Sequence, residues 1–295
     1  MSGSVGGAGT VRCPSIPIDS IKIGEIMKVI VLVGFYIFLV ACASGVSTRP
    51  QQKEVSKPLT VAEKAYVSQI EADGLLMYEK DTRAAAATDL LLSKINPSDY
   101  PDFIGWVTYQ NTDDFTVSFY EKYGDGFKII ADVDFGMKRE PSIKLAPKRE
   151  LSVTEKSMIK ARLAALKIGT NSCSDQFNTV IIPSQNKDAW DVYVLAATTN
   201  PNLVQVGGHT KVTISKINSE VLEKLPLSKS CLALDKSGDN LPDGASVSAF
   251  TVSHIVTSMP VAIHPYLNLL HNISLAVISE RGLWMIESGS IKVLR

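Results

Sequence analysis

Four histidines, His209, His254, His264 and His271, all fall in the second half of this 295-residue chain. Neutral imidazole is a good metal ligand and a general base near neutral pH, so this crowding marks where chemistry is expected. Within "AIHPYLNLLHN", His264 and His271 stand seven residues apart and share a face if the segment is helical throughout. Pro265 instead favours a helix that starts there. No H-E-x-x-H or H-x-H spacing occurs, so the pattern specifies no metal. His209 sits in "VGGHT", where two glycines permit positive φ and close backbone approach, which suits a tight turn or a ligand contact. His209, His254 and His264 are the candidate ligand or metal residues.

Other chemistries are excluded by what their motifs require. The loop "DKSGDNLPDG" offers Asp235, Asp239 and Asp243, but an EF-hand needs Gly at its sixth place and Glu at its twelfth. Those places hold Asn240 and Ser246. There is no G-x-S-x-G elbow and no P-loop, and "GSVGGAG" near the start opens no strand-to-helix unit. No catalytic set and no cofactor are therefore expected.

The run Val29–Ala43, "VIVLVGFYIFLVACA", is apolar over about 15 residues, short of the roughly 20 that a bilayer-spanning helix needs. Lys28 before it supplies the positive flank of a secretory signal. Leu39-Val40-Ala41-Cys42 then resembles the lipobox of bacterial lipoproteins. That resemblance implies cleavage before Cys42, acylation of its thiol and of the new amino terminus, and firm membrane attachment by several acyl chains. Ala43, where Asp would signal inner-membrane retention, implies the outer membrane. Residues 1–26 carry no periodicity, and "MKVIVLV" at Met27 is a compact signal start, so translation is expected from Met27 instead of Met1.

With Cys42 lipidated, Cys173 and Cys231 form an even pair in an oxidising compartment, and a disulfide is expected between them. It would close a loop of about 59 residues and contribute roughly 4 kcal/mol in a chain-entropy treatment. The chain has 30 Lys and Arg against 30 Asp and Glu, with no basic stripe interleaved with aromatics. Nucleic acid is therefore excluded as a partner.

The positioning elements follow from periodicity. Residues 1–41 read as signal peptide and 42–59 as a polar, proline-containing tether. A first unit over 60–136 opens with Thr60 and Glu63 in capping-box spacing, then a helix stopping or kinking at Gly74. A second helix over "TRAAAATDLLLSKI" would be capped by Asp81. Three antiparallel strands follow in "FIGWVTYQ", "DFTVSFYEKY" and "GFKIIADVDF", with Gly124-Asp125-Gly126 turning the last pair. Residues 137–151 read as a linker. The second unit, 152–295, restarts with Ser152 and Glu155 as a capping box on "VTEKSMIKARLAALKIG". Strands in "FNTVIIP", "DAWDVYVLAATT" and "TKVTISKI" come next. A strand in "AFTVSHIVT", a short helix in "PYLNLLHN" and a closing hairpin turned at Glu280-Arg281-Gly282 complete it. The class is α+β: two helix-plus-antiparallel-sheet units, with helices packed on one face of each sheet.

The pattern "W-x-V-Y-x-x-A-A-T-T", then "G-G-H" and "S-C-L", resembles a set of uncharacterised bacterial exported lipoproteins. The order helix-then-meander over about 150–275 is similar to PepSY-like modules. These resemblances imply a periplasmic accessory role and bring no catalytic residues. The expected function is a lipid-anchored binding or accessory module of the cell envelope, its partners the membrane and an envelope protein or small ligand. The alternative is a periplasmic hydrolase or metal-dependent enzyme using His209, His254 and His264.

Overall fold

The computed structural model describes residues 58–110, 114–136, 140–238 and 247–294. The signal segment, Cys42 and most of the tether lie outside the described residues, as do Asp239 and Asp243. The first element is a single helix, α1, Val61–Leu92, where two helices were expected. Thr60 caps it as the spacing predicts: its Oγ1 accepts the Glu63 N–H at 3.2 Å, and Glu63 Oε2 accepts the Thr60 N–H at 2.7 Å. Gly74 neither stops nor kinks this helix. A Cβ there would stand 2.6 Å from Pro265 Cγ and 3.0 Å from the Ala262 carbonyl, so the glycine admits a close crossing by another helix. Asp81 is not a cap either; its carboxylate accepts the Tyr266 hydroxyl at 2.8 Å in the helix interior.

The mixed α+β class is present, with three α-helices and mostly antiparallel strands in open sheets among the described residues. Strands β1 (Phe103–Gln110), β2 (Phe115–Tyr123), β3 (Gly126–Phe135) and β4 (Ser142–Leu145) form an antiparallel meander in that order. β4 comes from the stretch expected to be linker, which is pinned by Arg149. Its Nη2 lies 2.7 Å from both Asp132 Oδ1 and Glu155 Oε1. Helix α2, Val153–Gly169, then begins at its Ser152–Glu155 capping box.

A second sheet, order β5-β6-β8-β9, contains β5 (Phe177–Pro183), β6 (Ala189–Ala196), β8 (Thr210–Ser215) and β9 (Val221–Pro226). β7 (Leu203–Gln205) leaves it to pair with β10 (Ala233–Asp235). The last segment lays β11 (Phe250–Ser253) parallel to β12 (Leu275–Ser279), joined through helix α3, Ile263–His271. β12, β13 (Gly282–Glu287) and β14 (Ser290–Val293) continue antiparallel, and the first hairpin turns at Glu280-Arg281 as its residues indicated.

Each long helix packs on one face, and the two take opposite faces. Val180, Ile182, Tyr193 and Leu195 of the second sheet join Val67, Ile70 and Met77 of α1. The alternate residues Ile181, Val192 and Val194 join Met158, Ile159 and Ala165 of α2. Covered on both sides, β6 is buried along its whole length, which is why "AWDVYVLA" reads as a nearly continuous apolar run. On the far side of α1, α3 and the third sheet complete the same core through Tyr266, Leu267, Trp284 and Ile286.

Strands β1 and β5 are neighbours without a shared hydrogen-bond ladder among the described residues. Two cations fill the seam. Lys80 Nζ, from α1, donates to the Thr108 carbonyl at 3.0 Å and the Ile181 carbonyl at 2.7 Å. Arg162, from α2, donates through Nε to Thr179 Oγ1 at 2.9 Å and through Nη1 to the Ile104 carbonyl at 3.3 Å. Burial pushes the Lys80 ammonium down to about 7, against the pull of its two carbonyl partners.

Two outcomes follow. Gly74→Ala should raise intrinsic helix propensity yet lower stability by about 1–3 kcal/mol, because the overpacking outweighs it; a lower urea midpoint with unchanged slope is the readout. Because the folded pKa of Lys80 lies below its unfolded value, the unfolded chain binds more protons between the two. Stability should therefore rise as pH goes from about 7 towards the ordinary lysine range, and Lys80→Met should flatten that rise in pH-dependent denaturation curves.

Candidate functional site

The predicted histidines are held as buried, neutral structural groups. His209 is 3 % exposed; its Nδ1 accepts the Ala196 N–H at 3.1 Å, and so Nε2 carries the proton and donates to the Gln205 carbonyl at 2.8 Å. His264 Nδ1 accepts the Val261 N–H at 3.1 Å. His254 donates from Nε2 to Thr257 Oγ1 at 2.7 Å, since that hydroxyl spends its own proton on the Met259 carbonyl. The dyad is thus wired away from nucleophile activation, which needs the hydroxyl to donate to the imidazole. The rings of His254 and His264 meet edge to face, centroids 4.8 Å apart, and His209, held by its own backbone partners, is near enough to His264 to act on it electrostatically. Burial lowers His209 to about 4 and His264 to about 3, and lowers His254 as well. Among the described residues no group of three or more His, Cys, Asp or Glu could hold a metal.

The "VGGHT" glycines serve a close approach. Cys173 and Cys231 have their sulfurs 2.06 Å apart, at disulfide-bonding distance. Gly208, at φ 87°, passes beneath them: a Cβ there would stand 2.5 Å from Cys173 Cβ, and one on Gly207 would stand 2.0 Å from the Ser230 carbonyl. These glycines make room for the bonded loop. Of the aspartate loop, Asp235 is described, and its carboxylate accepts the Ser237 N–H at 2.8 Å.

A cleft of about 550 Å³ opens between α1, the second sheet and the loop before α3. Its polar wall is built by Tyr66 and Asp73 of α1, Asp191 and Tyr193 of β6, Lys211 of β8, and Thr257. Helical spacing of seven puts Tyr66 and Asp73 on one face of α1. Strand spacing of two puts Asp191 and Tyr193 on one face of β6. Ile70, Leu225 and Val261 supply an apolar side. A largely preformed concavity of this size with a few convergent polar groups is the usual form of a small-molecule site.

Its electrostatics are uneven. Asp191, 6 % exposed, accepts Thr213 Oγ1 at 2.7 Å and lies 3.6 Å from Lys211 Nζ. Asp73 accepts Gln69 Nε2 at 2.8 Å and is raised above the ordinary carboxylate range by burial. Tyr193 is 4 % exposed, and burial, with the nearby Asp73 and Asp191 charges, pushes its phenol well above 10. Among the described residues its hydroxyl has no hydrogen-bond partner, yet it is not sealed from solvent: it opens on the cleft. None of these residues falls in a motif, and they come from elements far apart in the chain. One local signal existed, Asp191 inside the apolar strand "AWDVYVLA".

The histidines have a stability consequence with a definite sign. Their folded pKa values lie below the unfolded value of about 6.5, so the unfolded chain binds more protons as pH falls through that range. Between about pH 6.5 and 5, above the carboxylate range, stability should fall by about 1.4 kcal/mol per pH unit for each fully titrating histidine. His209→Gln should reduce that slope in urea titrations at stepped pH; an unchanged slope would mean His209 is protonated in the fold. No family model matches the chain, and no curated protein matches it, so the assignment of this site rests on its own residues.

Proposed function

We propose that the chain is a lipid-anchored periplasmic protein, attached through Cys42 to the outer membrane, that works by binding a small ligand as an accessory module of the envelope. The observation that carries the binding reading is the cleft of about 550 Å³, walled by rigid elements and lined by polar groups of both charges. The lipobox-like "LVAC" and the polar tether support the anchor. The bonded Cys173–Cys231 pair suits an oxidising compartment. The exported lipoproteins that the sequence resembles fit the same role. The histidine-centred enzyme is the weaker reading, because all three imidazoles are committed to internal hydrogen bonds and their pKa values are lowered.

The test has two arms on protein purified from its native envelope. Intact mass should begin at an acylated Cys42 and gain two hydrogens on reduction. A mass beginning at Met1 or Met27 would sink the anchor, and a mass unmoved by reductant the bond. A small-molecule screen by thermal unfolding should find a ligand that stabilises the protein by about 2.7 kcal/mol at a hundredfold excess over its dissociation constant. Stabilisation by no compound class would remove the binding reading.

A further inference from the structure

The charges around the cleft do not cancel. Lys211 is its one lining cation among the described residues, and it is already engaged: its Nζ lies 3.6 Å from Asp191 and 3.9 Å from Glu223. Asp191 is further held by Thr213. Asp73 has the Gln69 amide, but no cation within ion-pairing distance among the described residues. One carboxylate therefore faces the cleft without a direct ion pair, although Lys211 is near enough to act on it through space. Beside it stands the Tyr193 hydroxyl, on a side chain 4 % exposed, with its hydrogen-bonding capacity unused. That hydroxyl opens on the concavity and is held by no protein group among the described residues, so a ligand in the cleft can take it in place of water. The Tyr66 hydroxyl donates to the Pro260 carbonyl and so keeps its lone pairs available.

We infer that the cleft takes a primary alkylammonium ion, its charged end against Asp73 and the Tyr193 hydroxyl and its alkyl part along Ile70, Leu225 and Val261. The inference rests on the binding reading above and narrows it. An ammonium group brings three donors, and the carboxylate and phenol oxygens are acceptors for them. It also brings a cation into direct contact with Asp73, which Lys211, engaged with Asp191 and Glu223, does not make. A carboxylate ligand would have to draw Lys211 from two acidic partners. A quaternary ammonium has no N–H to donate to the carboxylate and phenol oxygens.

The experiment is calorimetric titration of the detergent-solubilised full chain with hexylamine, hexanol and hexanoate, at a mildly alkaline pH that favours the carboxylate form of Asp73 and keeps the amine charged. Hexylamine should bind saturably and the other two should not. Asp73→Asn should weaken it about tenfold, the size of one charge-assisted hydrogen bond. Tyr193→Phe, which keeps the ring in the core, should weaken it severalfold, and Lys211→Met should tighten it. Hexylamine binding indifferent to both Asp73→Asn and Tyr193→Phe would overturn the inference. So would hexanoate binding that Lys211→Met abolishes, although that result would leave the small-ligand reading intact. No saturable binding of any of the three overturns the amine assignment, and the wider thermal screen then decides the binding reading by itself. Should Asp73→Asn disturb the fold, Tyr193→Phe decides the matter.

Discussion

A helix of 32 residues with apolar side chains spread over most of its circumference cannot rest on a single surface. Val67, Ile70 and Met77 need the second sheet and α3, while Ala87 and Leu91 need the first sheet. Burying α1 therefore forces three sheets to gather around one axis. The small residues on it decide how near they come. Gly74 lets α3 cross at the distance of a missing methyl group, and Ala84 and Ala87 are buried where the first sheet approaches. α2 closes the assembly from the opposite face, which leaves β6 buried on both sides.

Gathering sheets this way brings polar backbone into the interior, and the chain answers with buried charges. Where β1 and β5 meet without a ladder, their carbonyls would be left without donors. Lys80 and Arg162 supply those donors, each reaching from a different helix. Asp81 and Tyr266 tie α1 to α3 by a side-chain bond. Such groups add little net stability, since desolvation offsets much of their attraction. Their effect is to make alternative packings costly, because any slip strands a buried charge.

The parts of this design that live in local spacing were legible in the sequence. Thr60 with Glu63 and Ser152 with Glu155 mark true helix starts, and alternation places β1, β2 and β3. The Cys173 and Cys231 pairing follows from parity. What was not legible depends on partners distant in the chain. Gly74 reads as a stop until Pro265 stands against it, and Asp81 reads as a cap until Tyr266 reaches it. Histidines gathered in the second half of the chain suggested a site, yet the imidazoles of His209, His254 and His264 are spent on nearby backbone and hydroxyl groups. The cleft was hidden for the same reason as α1's true length: Tyr66 and Asp73 meet Asp191 and Tyr193 only after two elements more than a hundred residues apart have packed.

The crossing of α1 by α3 also sets an order of events during folding. Tyr66 bonds the Pro260 carbonyl 194 residues away, and Glu63 bonds Arg281 across 218. Contacts so remote close slowly, since the loop entropy must be met before they return anything. The helix that leaves the ribosome first among the described elements is thus among the last to be fully covered. Its apolar faces stay open until residues near 290 have arrived, which gives chaperones a long interval in which the chain is still pliable.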